Sequence, residues 1–201
     1  MRRAFLAQVL LGLWPSGFVW AGSQIEEPLS HSVRSALSAA ISAAAPPEPL
    51  LSTPQEQQAY SQWQAASQQR IARYKHHPTE RVEFLQTLWY EARRAGLPLS
   101  LILGVVQVES AFRKYAVSSA GAMGYMQVMP FWARTIGDGD ASRLFHMQSN
   151  LRFGCVILRH YLDRERGDTF MALGRYNGSR GQAAYPQAVL AAQRQWLHPA
   201  D

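Results

Sequence analysis

Residues 101–108 form an almost continuous apolar run that ends in a single carboxylate, Glu109. A run of this kind, opened by Pro98, predicts a buried helix with an acid at its end. No second acid follows before Asp138, and small, flexible or amide-bearing residues come directly after Glu109. This composition is typical of a lone acid facing a groove for a large polar ligand. Partial desolvation would keep such a glutamate protonated near neutral pH, so that it can act as a general acid.

The rest of the chain predicts an all-α domain. Thr79 is a candidate N-cap, apolar residues then recur at helical spacing through Ala92, and Gly96 is a natural stop. Strand patterns are nearly absent. Further helices are expected over residues 98–109, 125–135, 150–164, 169–177 and 182–195.

The N-terminal third divides into segments of different composition. Residues 1–21 predict an export signal, because Arg2 and Arg3 precede an apolar stretch that ends in Val19-Trp20-Ala21. The general and twin-arginine export routes both remain open, as does a retained first helix. No cysteine follows the signal, so a lipid anchor is not indicated. Residues 22–54, rich in Ala, Ser and Pro, predict a linker rather than part of a packed core.

The compact domain is expected over residues 79–201, and residues 55–78 predict a helical lead-in to it. Two interpretations of the lead-in remain open: a helix that packs on the domain, or a helix that docks a partner.

Net charge and cysteine usage limit the classes of partner and of site that the sequence supports. The formal net charge is +6, and loss of the signal would leave 18 basic against 14 acidic residues. This mild surplus is compatible with anionic envelope polymers, and no basic and aromatic stripe indicates nucleic acid. The single cysteine, Cys155, lies in an apolar stretch and predicts core packing. No integral membrane segment is expected after signal removal, and neither a metal nor a cofactor is implied.

Several short motifs follow one another in a fixed order from Glu109 onward. They are Glu109-Ser110, Ala116-Val117-Ser118, Gly121-Ala122, Gly124 with Met126-Gln127, Met129-Pro130, Asn150 with Gly154, Ala172-Leu173, Tyr176-Asn177 and Tyr185. Together they resemble the soluble lytic transglycosylase (SLT) domain of peptidoglycan-cleaving enzymes, a lysozyme-like family related to goose-type lysozyme. Two motifs depart from the family pattern: the usual Gly-Leu-Met-Gln reads Gly-Tyr-Met-Gln at 124–127, and the usual Ala-Tyr-Asn-Ala-Gly reads Arg-Tyr-Asn-Gly-Ser at 175–179.

The resemblance implies a periplasmic lyase that cleaves the bond between N-acetylmuramic acid and N-acetylglucosamine and forms a 1,6-anhydro product. Glu109 would act first as acid and then as base, with no second catalytic carboxylate. Glu91, Asp138 and Asp140 accordingly occupy positions that look surface-like. Two rival functions remain open: a hydrolytic muramidase, and a non-catalytic wall-binding or secretion-assembly module. An envelope or secretion-complex partner is a further expectation.

The same resemblance implies groove roles for five residues, each of which has a structural alternative. Ser118 would bind a sugar acetamido group or cap a turn, and Gln127 would bind a sugar or satisfy buried backbone. Met129 would line the groove wall or join the core. Tyr176 would hydrogen-bond Glu109 and hold it in place, or serve as a structural tyrosine. Asn177 would brace the groove or cap a helix. Tyr185, which is not one of these five residues, would stack on a sugar or belong to the core.

Overall fold

The computed structural model describes residues 24–42 and 51–201, and every regular element in these two ranges is helical. This confirms the all-α prediction. A 3₁₀ helix spans Ala141–Phe145. The α-helices are α1 (His31–Ser42), α2 (Pro54–Ile71), α3 (Pro78–Arg94), α4 (Leu99–Ser110), α5 (Pro130–Ile136), α6 (Met147–Arg164), α7 (Thr169–Asn177) and α8 (Ala184–Arg194).

Helix α4 is the centre of the domain and packs along α8. Its apolar residues are buried on nearly every side, as the uninterrupted run in the sequence predicts. Gly104 lets the two helices approach closely, since a Cβ there would lie 2.9–3.1 Å from backbone atoms of Val189 and Gln193. The acid at the end of α4 is therefore attached to a helix that packing holds on nearly every side.

The lead-in is a packed helix in this structure. Helix α2 starts with a capping box between Thr53 and Glu56, and buries Trp63 and Ile71 completely. The Trp63 ring lies 5.1 Å from that of Trp89 on α3. The boundaries of the lead-in and of the catalytic domain stay predictions.

Helix α1, in the middle of the stretch predicted to be a linker, packs on the domain rather than forming a free tether. Helix α1 buries Leu37 and Ile41 against the domain, and Val33 is partly buried beside them. These residues recur every four positions and so form an apolar stripe on one side of a helix otherwise rich in Ala and Ser. Arg94 and Arg152 donate hydrogen bonds to the carbonyls of Ala40 and Ile41 near the end of α1.

The predicted export signal, residues 1–21, lies outside the described residues. Within the described ranges, the helices are each too short or too polar to cross a bilayer. Cys155 is buried in α6, which confirms the prediction of core packing.

Candidate active site

Glu109 lies in the last turn of α4, where the helix is ended by an unusual backbone. Ala111 and Phe112 both take positive φ angles, 48° and 62°, without being glycine. Such a conformation is strained and persists only where packing enforces it. Here the buried Phe112 ring is held 4.7 Å from Tyr74 and 5.6 Å from Trp196. The packing of Phe112 thus fixes where the chain leaves the helix, and with it the position of Glu109.

The Glu109 carboxyl group is buried and only 1% exposed. Burial raises its pKa from 4.5 to about 8, against the opposing effect of a hydrogen bond from Tyr185. Tyr185 donates that bond to Oε1 over 2.6 Å. The other oxygen, Oε2, is buried and has no hydrogen-bond partner among the described residues. The arrangement therefore favours a neutral acid whose Oε1 is held in place and whose Oε2 is left to carry a transferable proton.

The remaining acids considered for a second catalytic role are each engaged elsewhere. Glu91 looked like a surface residue in the sequence, but it is buried on α3 and paired with Arg152 at 3.1 Å and Arg94 at 3.3 Å. Asp138 is paired with Arg143, and Asp140 caps the 3₁₀ helix. Burial of Glu91 is possible because the two arginines neutralise its charge.

A short irregular hairpin, residues 116–129, lies against the end of α4 that carries Glu109. Met123 pairs with both Val117 and Val128, and Ser110 beside the acid donates to the carbonyl of Tyr125 at 2.8 Å. The buried Asn150 side chain fastens the hairpin from outside: it accepts from the amide of Met126 and donates to the carbonyl of Met123, both at 2.8 Å. The end of α4 and the hairpin are therefore joined through Ser110, and Asn150 fastens the hairpin to α6, so that the position of the hairpin relative to α4 is held.

Ser118 and Gln127 both make contacts within the hairpin. Ser118 accepts from the amide of Ala122 at 3.1 Å, which is the turn-capping alternative. Gln127 is completely buried, and the amide nitrogen of its side chain donates to the backbone carbonyls of Ala116 at 3.1 Å and Gly124 at 3.0 Å. These bonds make Gln127 a brace of the hairpin, so its role toward a sugar stays a prediction.

Met129 lies half-buried at the N-terminus of α5, and its backbone amide points toward the Gln24 side chain. Met126 is fully buried, consistent with its assignment to the core. Asn177 is nearly buried at the end of α7 and accepts a hydrogen bond from Ser179 at 2.9 Å. The groove roles proposed for Met129 and Asn177 also stay predictions.

The tyrosine that holds Glu109 is not the one expected. Tyr176 is buried and donates its hydroxyl proton to the carbonyl of Met126 at 2.7 Å, so it supports the hairpin instead. Tyr185 makes the bond to Glu109 because α8 packs directly along α4. The sequence placed Tyr185 in the correct helix but contained no signal of which side chain it would meet. The contact of Gln24 with the hairpin was also missed, because that residue lies in the predicted linker.

We expect Tyr185→Phe to lower activity about tenfold, since the acid loses a hydrogen bond that orients it. The bond lowers the pKa of Glu109, so its removal should raise that pKa further. The alkaline limb of the kcat/KM profile should then move to higher pH. A profile with an unchanged limb and a reduced plateau would indicate a merely structural role for Tyr185.

Comparisons with known proteins identify the family to which the chain belongs. Residues 87–196 match the model of the transglycosylase SLT domain family. A transglycosylase of Enterobacteria phage PRD1 is 35% identical over 116 residues, which cover 54% of this chain and 42% of the relative. Membrane-bound lytic murein transglycosylase C of Actinobacillus pleuropneumoniae is 37% identical over 114 residues, covering 49% of this chain and 31% of the relative.

A solved structure shares the fold. An inactive mutant of the lytic transglycosylase Slt from Pseudomonas aeruginosa superposes with a TM-score of 0.50 at 24% identity, covering 70% of this chain and 29% of that protein. This likeness confirms the expected lysozyme-like helical fold. The chain spans less than half the length of the two curated relatives. Because the family model matches more than half of the chain, the protein belongs to the transglycosylase SLT domain family.

Proposed function

We propose that this protein is an exported lytic transglycosylase of the bacterial envelope that cleaves peptidoglycan glycan strands. The observation that carries the proposal is the state of Glu109, a buried carboxyl group whose pKa is raised to about 8 and whose Oε2 has no partner among the described residues. The family assignment and the names of the murein-cleaving relatives support the same substrate class.

The reaction begins with transfer of the Glu109 proton to the oxygen of the bond between N-acetylmuramic acid and N-acetylglucosamine. As that bond breaks, the carbonyl oxygen of the muramic acid's own 2-acetamido group attacks the anomeric carbon. Substrate assistance of this kind replaces the second carboxylate that most glycosidases use. It also fits a site in which Glu91, Asp138 and Asp140 are each engaged in other contacts.

Glu109 is a carboxylate after the first step and can accept the proton of the C6 hydroxyl of the same sugar. O6 then attacks the anomeric carbon, the bond to the acetamido oxygen breaks, and a 1,6-anhydro ring results. Glu109 ends the cycle protonated, and no water is consumed. A pKa near 8 suits both proton transfers, since neither form of the group is strongly disfavoured near neutral pH.

The identity of the released products tests this proposal. Purified sacculi treated with the protein should release muropeptides that end in 1,6-anhydro-N-acetylmuramic acid, as detected by mass spectrometry. Reducing N-acetylmuramic acid ends would instead indicate a muramidase with an activated water. Absence of release would favour a non-catalytic wall-binding or secretion-assembly module.

A further inference from the structure

One edge of the hairpin presents a pair of backbone groups that make no hydrogen bond within the hairpin. The amide and carbonyl of Val128 both bond to Met123, at 3.0 and 2.9 Å. In a trans peptide the N–H and the C=O point in opposite directions. The carbonyl of Gln127 and the amide of Met129, which share peptide planes with these two groups, therefore point away from Met123. They form an acceptor and a donor side by side on one edge, where polar groups that approach from outside the hairpin can bond to them.

The carboxamide of Gln24 lies on this edge. Its nitrogen is 3.5 Å from the carbonyl oxygen of Gln127, and its oxygen is 3.4 Å from the amide nitrogen of Met129. The same side chain also reaches the Tyr176 hydroxyl, and Gln24 is only 5% exposed although its neighbour Ile25 is exposed. The primary carboxamide of glutamine has an N–H on the same side as its C=O and can meet both backbone groups, whereas the N–H and C=O of an acetamido group point in opposite directions and can meet only one of them at a time.

We propose that residues 24–30 act as an intrasteric strap, in which Gln24 occupies two backbone groups of the hairpin to which a glycan strand would otherwise bind. The competing ligand is a glycan strand, whose hydroxyl and acetamido groups can donate to the Gln127 carbonyl and accept from the Met129 amide, so this inference rests on the proposed function for the identity of the natural ligand. The protein would then bind glycan only in the fraction of molecules in which the strap has left, and the apparent affinity is reduced by that fraction.

The strap is attached in a way that permits release. Glu27 pairs with Arg175 at 2.9 Å and also with Arg164. Arg175 is one of the positions where the chain departs from the family pattern, so this anchor accompanies a sequence change next to Tyr176. Partly exposed ion pairs of this kind are weak and are screened by salt.

The contacts under the strap are loose as well. Two open surface pockets of about 400 and 390 Å³ lie beside it, the first lined by Leu29 and His160 and the second by Glu26 and Arg134. The two Gln24 hydrogen bonds are at the long end of the accepted range. A ligand with better geometry on the same backbone groups can therefore displace the side chain, while α1 remains packed on the domain.

The test measures binding of N-acetylglucosamine tetrasaccharide by titration calorimetry in the Glu109→Gln background, where cleavage cannot interfere. We expect Gln24→Ala to bind about three- to tenfold more tightly, since two modest hydrogen bonds no longer compete. Gln24→Glu should act in the same direction, because a carboxylate cannot donate to the Gln127 carbonyl. Glu26→Gln is the matched control, an exposed change in the same segment that should leave the affinity unaltered.

Limited proteolysis provides the second readout. Saturating tetrasaccharide in the Glu109→Gln background should speed cleavage by a glutamate-specific protease after Glu26, since the strap is displaced. Equal affinities for Gln24 and both of its variants, or a rate of cleavage after Glu26 that bound ligand leaves unchanged, would overturn the inference. Failure of the proposed function is separable from this result: sacculi left intact by the wild type would contradict catalysis, whereas tighter binding by Gln24→Ala would still support the strap.

Discussion

Glu109→Gln is expected to reduce glycan cleavage by about 10³- to 10⁴-fold. General acid–base catalysis by one side chain is worth roughly 10²–10⁴, and the same carboxyl group is required in both proton transfers. The amide is close in size to the acid and still accepts the Tyr185 bond through its oxygen, so the site should keep its shape. The measurement is the initial rate of muropeptide release from sacculi, normalised to folded protein.

Asp138→Asn is the matched control for this change. It neutralises the next acid along the chain, which is half-exposed and paired with Arg143, and it should retain most of the activity. A Glu109→Gln variant that releases muropeptides at the rate of Asp138→Asn would refute the role of Glu109 as the catalytic acid.

The same Glu109→Gln substitution is expected to stabilise the protein, increasingly so as the pH rises. Folded Glu109 holds its proton up to a pKa of about 8, whereas in the unfolded chain it releases the proton near 4.5. Unfolding of the wild type therefore releases a proton between these values, and stability falls as pH rises through that window. Because each unit of pKa is worth about 1.4 kcal/mol, the advantage of the amide should grow by about 3 kcal/mol from pH 4.5 to 7.

Urea denaturation of both proteins at a series of pH values measures this difference. The two stability curves should run parallel below pH 4.5, diverge between pH 4.5 and 8, and run parallel again above it. Curves that stay parallel throughout would show that Glu109 is not held neutral by burial. Loss of activity accompanied by a gain of stability is the behaviour expected of a site that is built at the expense of stability.

The sequence predicts the centre of the fold because the signal there is strong and local. An apolar run that ends in a lone acid predicts both a buried helix and a raised pKa, and the structure has α4 and Glu109 arranged in this way. Helix α6 is similarly clear, with Cys155 in its buried face. Both features follow from short-range periodicity, which needs no knowledge of how distant segments pack.

Contacts between distant segments are what the sequence does not reveal. Tyr176 and Tyr185 are both buried tyrosines in adjacent helices, and only the packing of α8 along α4 decides that Tyr185 is the one to meet Glu109. Glu91 looks exposed until α6 brings Arg152 against it. Each of these outcomes depends on the position of a helix far away along the chain.

Composition alone was misleading at the N-terminal side. Ala and Ser weaken the apolar stripe of α1, so its buried positions Leu37 and Ile41 do not stand out from a linker. The contact of Gln24 with the hairpin depends in turn on where α1 packs, since α1 determines the path of the segment before it. A polar residue in a biased segment has no periodicity from which such a contact could be predicted.

Digestion of sacculi in water enriched in ¹⁸O tests the central claim most directly. If Glu109 drives ring closure by the C6 hydroxyl, the released N-acetylmuramic acid ends should be 1,6-anhydro sugars without solvent ¹⁸O, and Glu109→Gln should release almost none of them. Reducing ends that carry one ¹⁸O atom, formed at the wild-type rate, would show that water attacks the anomeric carbon and would contradict the proposed reaction.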